Sequence, residues 1–147
     1  MEEFKKITQV ALVVRDIERV AEAWARLLGV EKPDVIETGD VEETRMEYKG
    51  TPSNARAKLA FFDLGGLTLE LIQPVGEPST WSEFLRLYGQ GIHHIAFIVR
   101  DMESAIKELE KEGGRLVQKG DFTGGSYAYI DARESLGAII ELLTFNR

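Results

Sequence analysis

The sequence predicts an α+β protein made of two copies of one module, each a strand, a helix and then about three strands. Residues 9–30 align with residues 94–115 at a constant offset of 85, which indicates an internal repeat. Within each copy, apolar residues first alternate and then recur every three or four positions, the periods of a strand and a helix. The 147 residues have the length of one ordinary domain. We expect a single domain over residues 1–147, with module one at about 5–75, a connector helix at about 79–89 and module two at about 91–146.

The first strand of each copy carries a polar residue at the same position. ITQVALVVRDI, residues 7–17, corresponds to IHHIAFIVRDM, residues 92–102. In this alignment Gln9 falls on His94. The apolar residues that follow lie on one face of a helix in both copies.

Each of these helices has recognisable end signals. Asp16 and Asp101 precede the two helical stretches and are the expected N-caps. Gly29 in the first copy and Gly113–Gly114 in the second are the expected helix ends.

The later strands of the two copies also correspond. KLAFFD, residues 58–63, matches SYAYID, residues 126–131, and LTLELIQP, residues 67–74, matches GAIIELLTF, residues 137–145. Gly65–Gly66 predicts a tight turn between the first pair of strands. The offset changes between the segments, so insertions are expected in the loops.

Two segments lie outside the repeat. Residues 31–57 contain the turn signals TGD and KGTPSN, which predict an irregular strand and a mobile loop. The stretch STWSEFLRLYG, residues 79–89, predicts the connector helix, with Thr80 and Glu83 spaced as a capping box.

Composition and charge exclude several function classes. The chain has 25 acidic and 18 basic residues, a net charge of −7 and no cysteine. An acidic surface does not suit nucleic acid, and the lack of cysteine excludes disulfides and thiolate chemistry. No apolar run approaches the roughly 18 residues of a membrane span. The charged start MEEFKKIT is unlike a secretory signal, so we expect a cytoplasmic protein with no nucleic-acid or membrane partner.

A glutamate interrupts the last apolar strand of each copy. Glu70 stands within LTLELIQP and Glu141 within GAIIELLTF, at equivalent positions. Either carboxylate alone could face solvent on a half-exposed strand, whereas uncompensated burial would cost several kcal/mol or more. If a pseudo-twofold axis relates the copies, Gln9, Glu70, His94 and Glu141 converge around it.

One imidazole, one amide oxygen and two carboxylates are a donor set for a divalent metal ion with open positions for water or substrate. The alternatives stay open: His94 could be a core histidine bonded to the backbone, and Gln9 an exposed strand residue. His93 is expected on the opposite face of the strand from His94, as a structural residue or as support for a ligand.

These features resemble the vicinal oxygen chelate superfamily, which includes glyoxalase I, methylmalonyl-CoA epimerase, extradiol dioxygenases and bleomycin-resistance proteins. The resemblance covers nearly the whole chain. It implies two βαβββ modules in a curled mixed sheet around a metal cleft, a homodimer, and metal ligands at Gln9, Glu70, His94 and Glu141. The longest similarity is to methylmalonyl-CoA epimerase. It covers residues 70–116, ELIQPVGEPSTWSEFLRLYGQGIHHIAFIVRDMESAIKELEKEGGRL.

The chain departs from each of these families. The epimerase has histidine where Gln9 stands, whereas one branch of glyoxalase I has the set Gln, Glu, His, Glu. The metal therefore stays open among Zn, Co, Ni and Mn. Residues that help glyoxalase I to hold glutathione are replaced by Val13 and Pro74. A dioxygenase needs two histidines and one carboxylate on iron, and this set has one histidine.

The resemblance implies a metal-dependent isomerase, like methylmalonyl-CoA epimerase, that moves a proton next to the carbonyl of an acyl thioester such as an acyl-CoA, or of a related carbonyl compound. Glu141 is the expected base, with Glu70 acting from the opposite side and Lys58 as a further partner. Residues 31–57 and 120–129 would shape the substrate pocket. The alternatives are a lactoylglutathione lyase and a metal-free small-molecule binding protein. The aromatic slot of such a binder would draw on Trp81, Phe61, Phe62, Tyr127 and Tyr129.

Overall fold

The computed structural model describes residues 4–146, in which ten strands form one sheet accompanied by five helices. In chain order, the elements are β1 (Gln9–Val13), α1 (Ile17–Leu28), β2 (Ile36–Glu37), α2 (Val41–Thr44), β3 (Glu47–Tyr48), β4 (Thr51–Pro52), β5 (Arg56–Asp63), β6 (Thr68–Val75), α3 (Thr80–Tyr88), β7 (Gly91–Ile98), α4 (Met102–Lys111), β8 (Arg115–Phe122), β9 (Gly125–Ala132), α5 (Arg133–Leu136) and β10 (Ala138–Phe145). No helix within residues 4–146 has the length and apolar character needed to cross a membrane.

The sheet has the two-fold pattern that the repeat predicts. Its strand order is β2-β5-β6-β1-β7-β10-β9-β8-β3-β4. The first strands of the two modules, β1 and β7, pair antiparallel at the centre, and each is flanked by the parallel last strand of its own module, β6 or β10. The predicted α+β class, with two repeated modules in a curled mixed sheet, is confirmed.

The two long helices begin and end where the sequence indicates. Asp16 and Asp101 each accept a hydrogen bond from the backbone N–H three residues ahead, at 3.3 and 3.1 Å. Gly29 ends α1 in the left-handed region with φ of 69°. Helix α4 ends at its C-cap Glu112, and Gly113 follows with φ of 91°.

Helices α1 and α4 cover the outer face of the curled sheet. Apolar burial drives this packing, and each helix has its own cluster of buried side chains. The cluster under α1 consists of Val14, Ile17, Ala21, Ala25, Ala60, Phe62, Leu69 and Leu71. The cluster under α4 consists of Val99, Ala105, Leu109, Ile130, Ala132, Ile140 and Leu142.

Helix α3, the predicted connector, fills one end of the concave face. Trp81 is buried among Ala11, Val13, Ile72 and Tyr129, which belong to the strands of that face. Its indole N–H donates to the hydroxyl of Tyr129 at 3.0 Å.

The capping box of α3 differs from the predicted one. The N-cap is Ser79, which exchanges hydrogen bonds with Ser82. Thr80 and Glu83 were expected in these roles, but Thr80 is already the first helical residue. Glu83 instead accepts a hydrogen bond from the Tyr48 hydroxyl at 2.6 Å.

The insertion at residues 31–57 joins the two edges of the sheet. Its first strand, β2, pairs with β5 of module one, whereas β3 pairs with β8 of module two. Between them, Asp40 caps the one-turn helix α2, and the Arg45 guanidinium donates to the carboxylate of Asp121. The irregular strand expected here is therefore present as three two-residue strands.

Candidate metal centre

The four polar residues singled out by the repeat occupy the four central strands of the sheet. Ala11 of β1 is the register partner of both Glu70 and His94. Ala96 of β7 is the register partner of both Gln9 and Glu141. Residues paired in register share a face, and so do residues two apart on a strand. All four side chains therefore lie on the concave face.

The side chains meet around the ring nitrogen Nε2 of His94. This nitrogen lies 3.0 Å from Glu141 Oε1, 3.7 Å from Glu70 Oε1 and 3.4 Å from Gln9 Oε1. One ligand atom from each of Glu70, His94 and Glu141 lies within 4.8 Å of the others. These three residues are 7%, 1% and 5% exposed. The alternative that the glutamates face solvent is therefore excluded.

Burial favours the neutral form of each titratable group in the cluster. Burial and the charge of Glu141 raise the pKa of Glu70 well above its ordinary value. Burial raises the pKa of Glu141 to about 8, although a hydrogen bond from Tyr129 opposes the shift. Burial also lowers the pKa of His94 to about 3, so its neutral ring can offer a lone pair.

The donor set fits a divalent cation. Glu70 Oε1 and Glu141 Oε1 are buried and accept no hydrogen bond among the described residues, although unsatisfied buried oxygens are costly. Two carboxylates balance the charge of such an ion, and an imidazole and an amide oxygen from Gln9 complete a mixed nitrogen and oxygen shell. The arrangement could thus hold an ion that polarises a bound carbonyl group.

His93 lies on the same side as His94, not on the opposite face. The pairing of β7 with β1 passes from His94 directly to Ile92, which leaves His93 in a bulge. The bulge breaks the strict alternation on which the prediction relied. His93 Nδ1 lies 2.8 Å from His94 Nδ1, and the His93 ring packs edge-on against Phe84 and Tyr129.

Lys58 is separated from the cluster by the sheet itself. Phe61, not Lys58, is the register partner of Glu70, and residues three apart on a strand face opposite sides. Lys58 therefore shares the outer face with Ala60 and Phe62. This position contradicts the expectation that Lys58 is a catalytic partner.

Exposed apolar side chains lie on the concave face beside the candidate centre and beyond it, toward the end away from α3. Phe61 is the register partner of Glu70, Ile98 lies four residues after His94, and Phe145 lies four residues after Glu141. All three are exposed large hydrophobic residues and share the concave face. Sequence reasoning missed this rim, although strand alternation from the ligand positions could have found it.

The aromatic residues considered for a binding slot occupy three environments. Trp81, Tyr127 and Tyr129 pack together on the concave face. Phe62 lies on the outer face beneath α1. Phe61 is exposed on the rim. The structure therefore does not gather them into one slot.

A separate polar cleft lies beside α3. Its volume is about 430 Å³, and none of the candidate ligands lines it. The charged side chains around it are already paired: Arg133 with Asp131 at 2.9 Å and Lys49 with Glu83 at 3.5 Å. This cleft is therefore not part of the candidate centre.

Fold and site together define a duplicated βαβββ protein with a buried carboxylate–histidine cluster at the centre of a curled sheet. A family model of the glyoxalase/bleomycin resistance protein/dioxygenase superfamily matches residues 8–129. The chain belongs to this superfamily.

Individual relatives include epimerases. The chain is 32% identical to the uncharacterized protein YqjC of Bacillus subtilis over 98 residues, which are 65% of this chain and 70% of that protein. It is 26% identical to an ethylmalonyl-CoA/methylmalonyl-CoA epimerase of Cereibacter sphaeroides, over 93% of this chain and 96% of the relative. The crystal structure of methylmalonyl-CoA epimerase from Mycobacterium tuberculosis has a TM-score of 0.66 and 22% identity, and the match covers 96% of this chain and 88% of that one.

Proposed function

We propose that the protein is a metal-dependent isomerase that transfers a proton at the carbon next to the carbonyl of an acyl-CoA thioester, as a methylmalonyl-CoA epimerase does. The observation that carries the proposal is the convergence of Glu70, His94 and Glu141, with two buried carboxylate oxygens that accept no hydrogen bond among the described residues. The epimerases among its relatives support the choice of reaction.

Gln9, Glu70, His94 and Glu141 would hold the metal. When bound, a divalent ion supplies a Lewis acid for the substrate carbonyl and stabilises the negative charge of the enolate, an effect worth several kcal/mol. The buried surroundings strengthen every charge interaction in the site because they exclude water.

Glu141 is the proposed base. Its carboxylate removes the proton from the carbon next to the carbonyl, and the electron pair of that carbon–hydrogen bond passes to the carbonyl oxygen. Glu70 lies on the other side of His94 in the pseudo-twofold arrangement. A Glu70 carboxyl group that has first taken a proton from water delivers that proton to the opposite face of the carbon and inverts the configuration, and Glu141 gives the proton that it removed to water.

Solvent isotope exchange tests the proposal directly. Methylmalonyl-CoA is incubated in D2O with protein loaded with Zn, Co, Ni or Mn, and deuterium at the α-carbon is followed by mass spectrometry. Metal-dependent incorporation above the protein-free rate is expected. At equal metal content, Glu141→Gln should lower the rate about 100-fold or more, whereas the exposed Glu110→Gln serves as a matched control. Exchange at the protein-free rate with all four metals would refute the proposal.

A lactoylglutathione lyase is the second candidate, because Gln9 gives the ligand set of one branch of glyoxalase I. The same metal-loaded protein is assayed with the hemithioacetal of methylglyoxal and glutathione. Turnover of that compound without isotope exchange on methylmalonyl-CoA would favour the lyase. Absence of metal binding would favour the metal-free binding protein.

The proposed enzyme is a single-domain homodimer of the cytoplasm. The homodimer is a feature that the superfamily resemblance implies, and the compartment is an expectation from the sequence. Light scattering during size-exclusion chromatography measures the mass in solution, and a mass near twice 16.5 kDa is expected.

A further inference from the structure

The bulge in β7 brings two imidazole rings into direct contact behind the candidate centre. His93 Nδ1 and His94 Nδ1 are 2.8 Å apart, and the rings meet at an interplanar angle of 81°. Two ring nitrogens at this distance share one proton, because two lone pairs or two N–H groups would repel each other. The contact therefore links the proton positions of the two rings.

The neighbours of His94 decide which ring supplies that proton. His94 Nε2 is the nitrogen that faces Glu70 and Glu141, so it is the nitrogen that would bind a metal. A ligating nitrogen carries no proton. The proton of the neutral His94 ring must then lie on Nδ1, from which it is donated to Nδ1 of His93.

We propose that His93 is a positioning residue, which accepts the Nδ1–H of His94 and thereby holds His94 in the tautomer and orientation that bind a divalent metal. The inference rests on the metal-holding role in the proposed function, but it does not depend on the substrate. It assigns the proton of His93 to its other nitrogen, Nε2.

Packing holds His93 in place for this role. The residue is 3% exposed, and its ring contacts Phe84 of α3 and Tyr129 of β9 at centroid distances of 5.4 and 5.3 Å. Its buried Nε2 has no well-formed hydrogen bond with the described residues. Burial lowers the pKa of the ring, although an interaction with the backbone of Thr80 opposes this shift. The ring is therefore fixed by aromatic neighbours and by the bulge.

A neutral acceptor also suits the charge of the centre. Metal-bound histidines usually donate their second N–H to a carboxylate, a backbone carbonyl or water. When a divalent ion is bound, Glu70 and Glu141, which lie beside His94, supply the two negative charges that balance it. An imidazole acceptor orients His94 without adding a third negative charge to a buried site.

Metal affinity of three variants tests the inference. His93→Phe keeps an aromatic ring but removes the acceptor, whereas His93→Asn places an amide oxygen near the position of Nδ1. Phe84→Leu is the matched control, because it loosens the packing beside His93 and leaves the acceptor nitrogen in place. Dissociation constants for Zn are measured by competition with a chromophoric chelator, without substrate.

His93→Phe is expected to weaken Zn binding about 10- to 100-fold, His93→Asn to restore it to within about threefold of the wild type, and Phe84→Leu to change it less than threefold. Equal affinity of His93→Phe and the wild type would overturn the inference. An equal loss in Phe84→Leu and His93→Phe would do the same, because packing alone would then explain both. A wild type that binds no Zn overturns the inference as well.

The tautomers give a second readout. Nitrogen-15 NMR of the Zn-loaded wild type should find protons on His94 Nδ1 and His93 Nε2, and a proton on His93 Nδ1 would contradict the inference. Zn affinity that depends on His93, without isotope exchange on any substrate, would leave the inference standing and count against the proposed isomerase.

Discussion

Replacing Glu141 by glutamine should stabilise the metal-free protein at neutral pH. Burial raises the pKa of Glu141 to about 8 in the folded protein, against 4.5 for an ordinary glutamate. A carboxyl group with a raised folded pKa contributes stability that is complete below pH 4.5 and is lost as the pH rises through 8. At pH 7 the unfolded chain gains by ionising this group, and the folded protein does not.

The size of the effect follows from the pH interval between the pKa of an ordinary glutamate, 4.5, and the assay at pH 7. At about 1.36 kcal/mol for each pH unit, the loss in the free energy of unfolding reaches about 3 kcal/mol. Glutamine has nearly the same shape and does not ionise, so Glu141→Gln removes this loss. For a protein of this size, 3 kcal/mol corresponds to a rise in Tm on the order of 10 °C.

Thermal unfolding of chelator-treated protein checks the prediction at two pH values. Circular dichroism should give a higher Tm for Glu141→Gln than for the wild type at pH 7 and equal values near pH 4. The exposed Glu110→Gln should match the wild type at both. If Glu141→Gln lowers Tm by the same amount at both pH values, the carboxyl is not held neutral by burial and the reasoning fails.

Three further predictions concern the site and the packing around it. Because the pKa values of Glu70 and Glu141 are raised, metal binding at pH 7 should release protons. The heat of binding measured by calorimetry should then vary with the ionisation enthalpy of the buffer. A heat of binding that is the same in every buffer would contradict this prediction. Trp81→Phe should lower the free energy of unfolding by about 1 kcal/mol in urea titrations, because it removes the buried hydrogen bond to Tyr129, and an unchanged midpoint would show that the bond contributes nothing. Lys58→Ala should leave the isotope-exchange rate within about twofold of the wild type, since Lys58 shares the outer face with Phe62. A loss of tenfold or more would show that Lys58 takes part in catalysis.

The sequence was enough to predict the fold class and the four candidate ligands, because both depend on the internal repeat and on the strand and helix periods within each copy. The repeat aligns Gln9 with His94 and Glu70 with Glu141. Strand alternation then assigns each of them a face, and the antiparallel pairing of β1 with β7 brings the equivalent positions together. Helix caps such as Asp16 were predictable for the same reason.

Features that depend on packing between distant segments were not predictable in this way. The bulge at His93 breaks the alternation of β7, and no residue in GIHHIAF marks an extra residue there. Ser79 and Thr80 are adjacent residues that can both act as an N-cap, and the sequence does not decide between them; the structure has Ser79 in this role. The side of the sheet on which Lys58 lies follows from the pairing of β5 with β6.

The strand pairing of the inserted segment also sets an order of events during synthesis. Strand β3 emerges from the ribosome with module one, but its partner β8 follows about 70 residues later. The backbone hydrogen bonds between β3 and β8 therefore form only after the second half of the chain has been made. A nascent chain halted after α3 would have β2 paired with β5 and β3 still without β8. The inserted segment of module one is therefore fully paired only when module two is complete. The two modules depend on each other although they share one repeat.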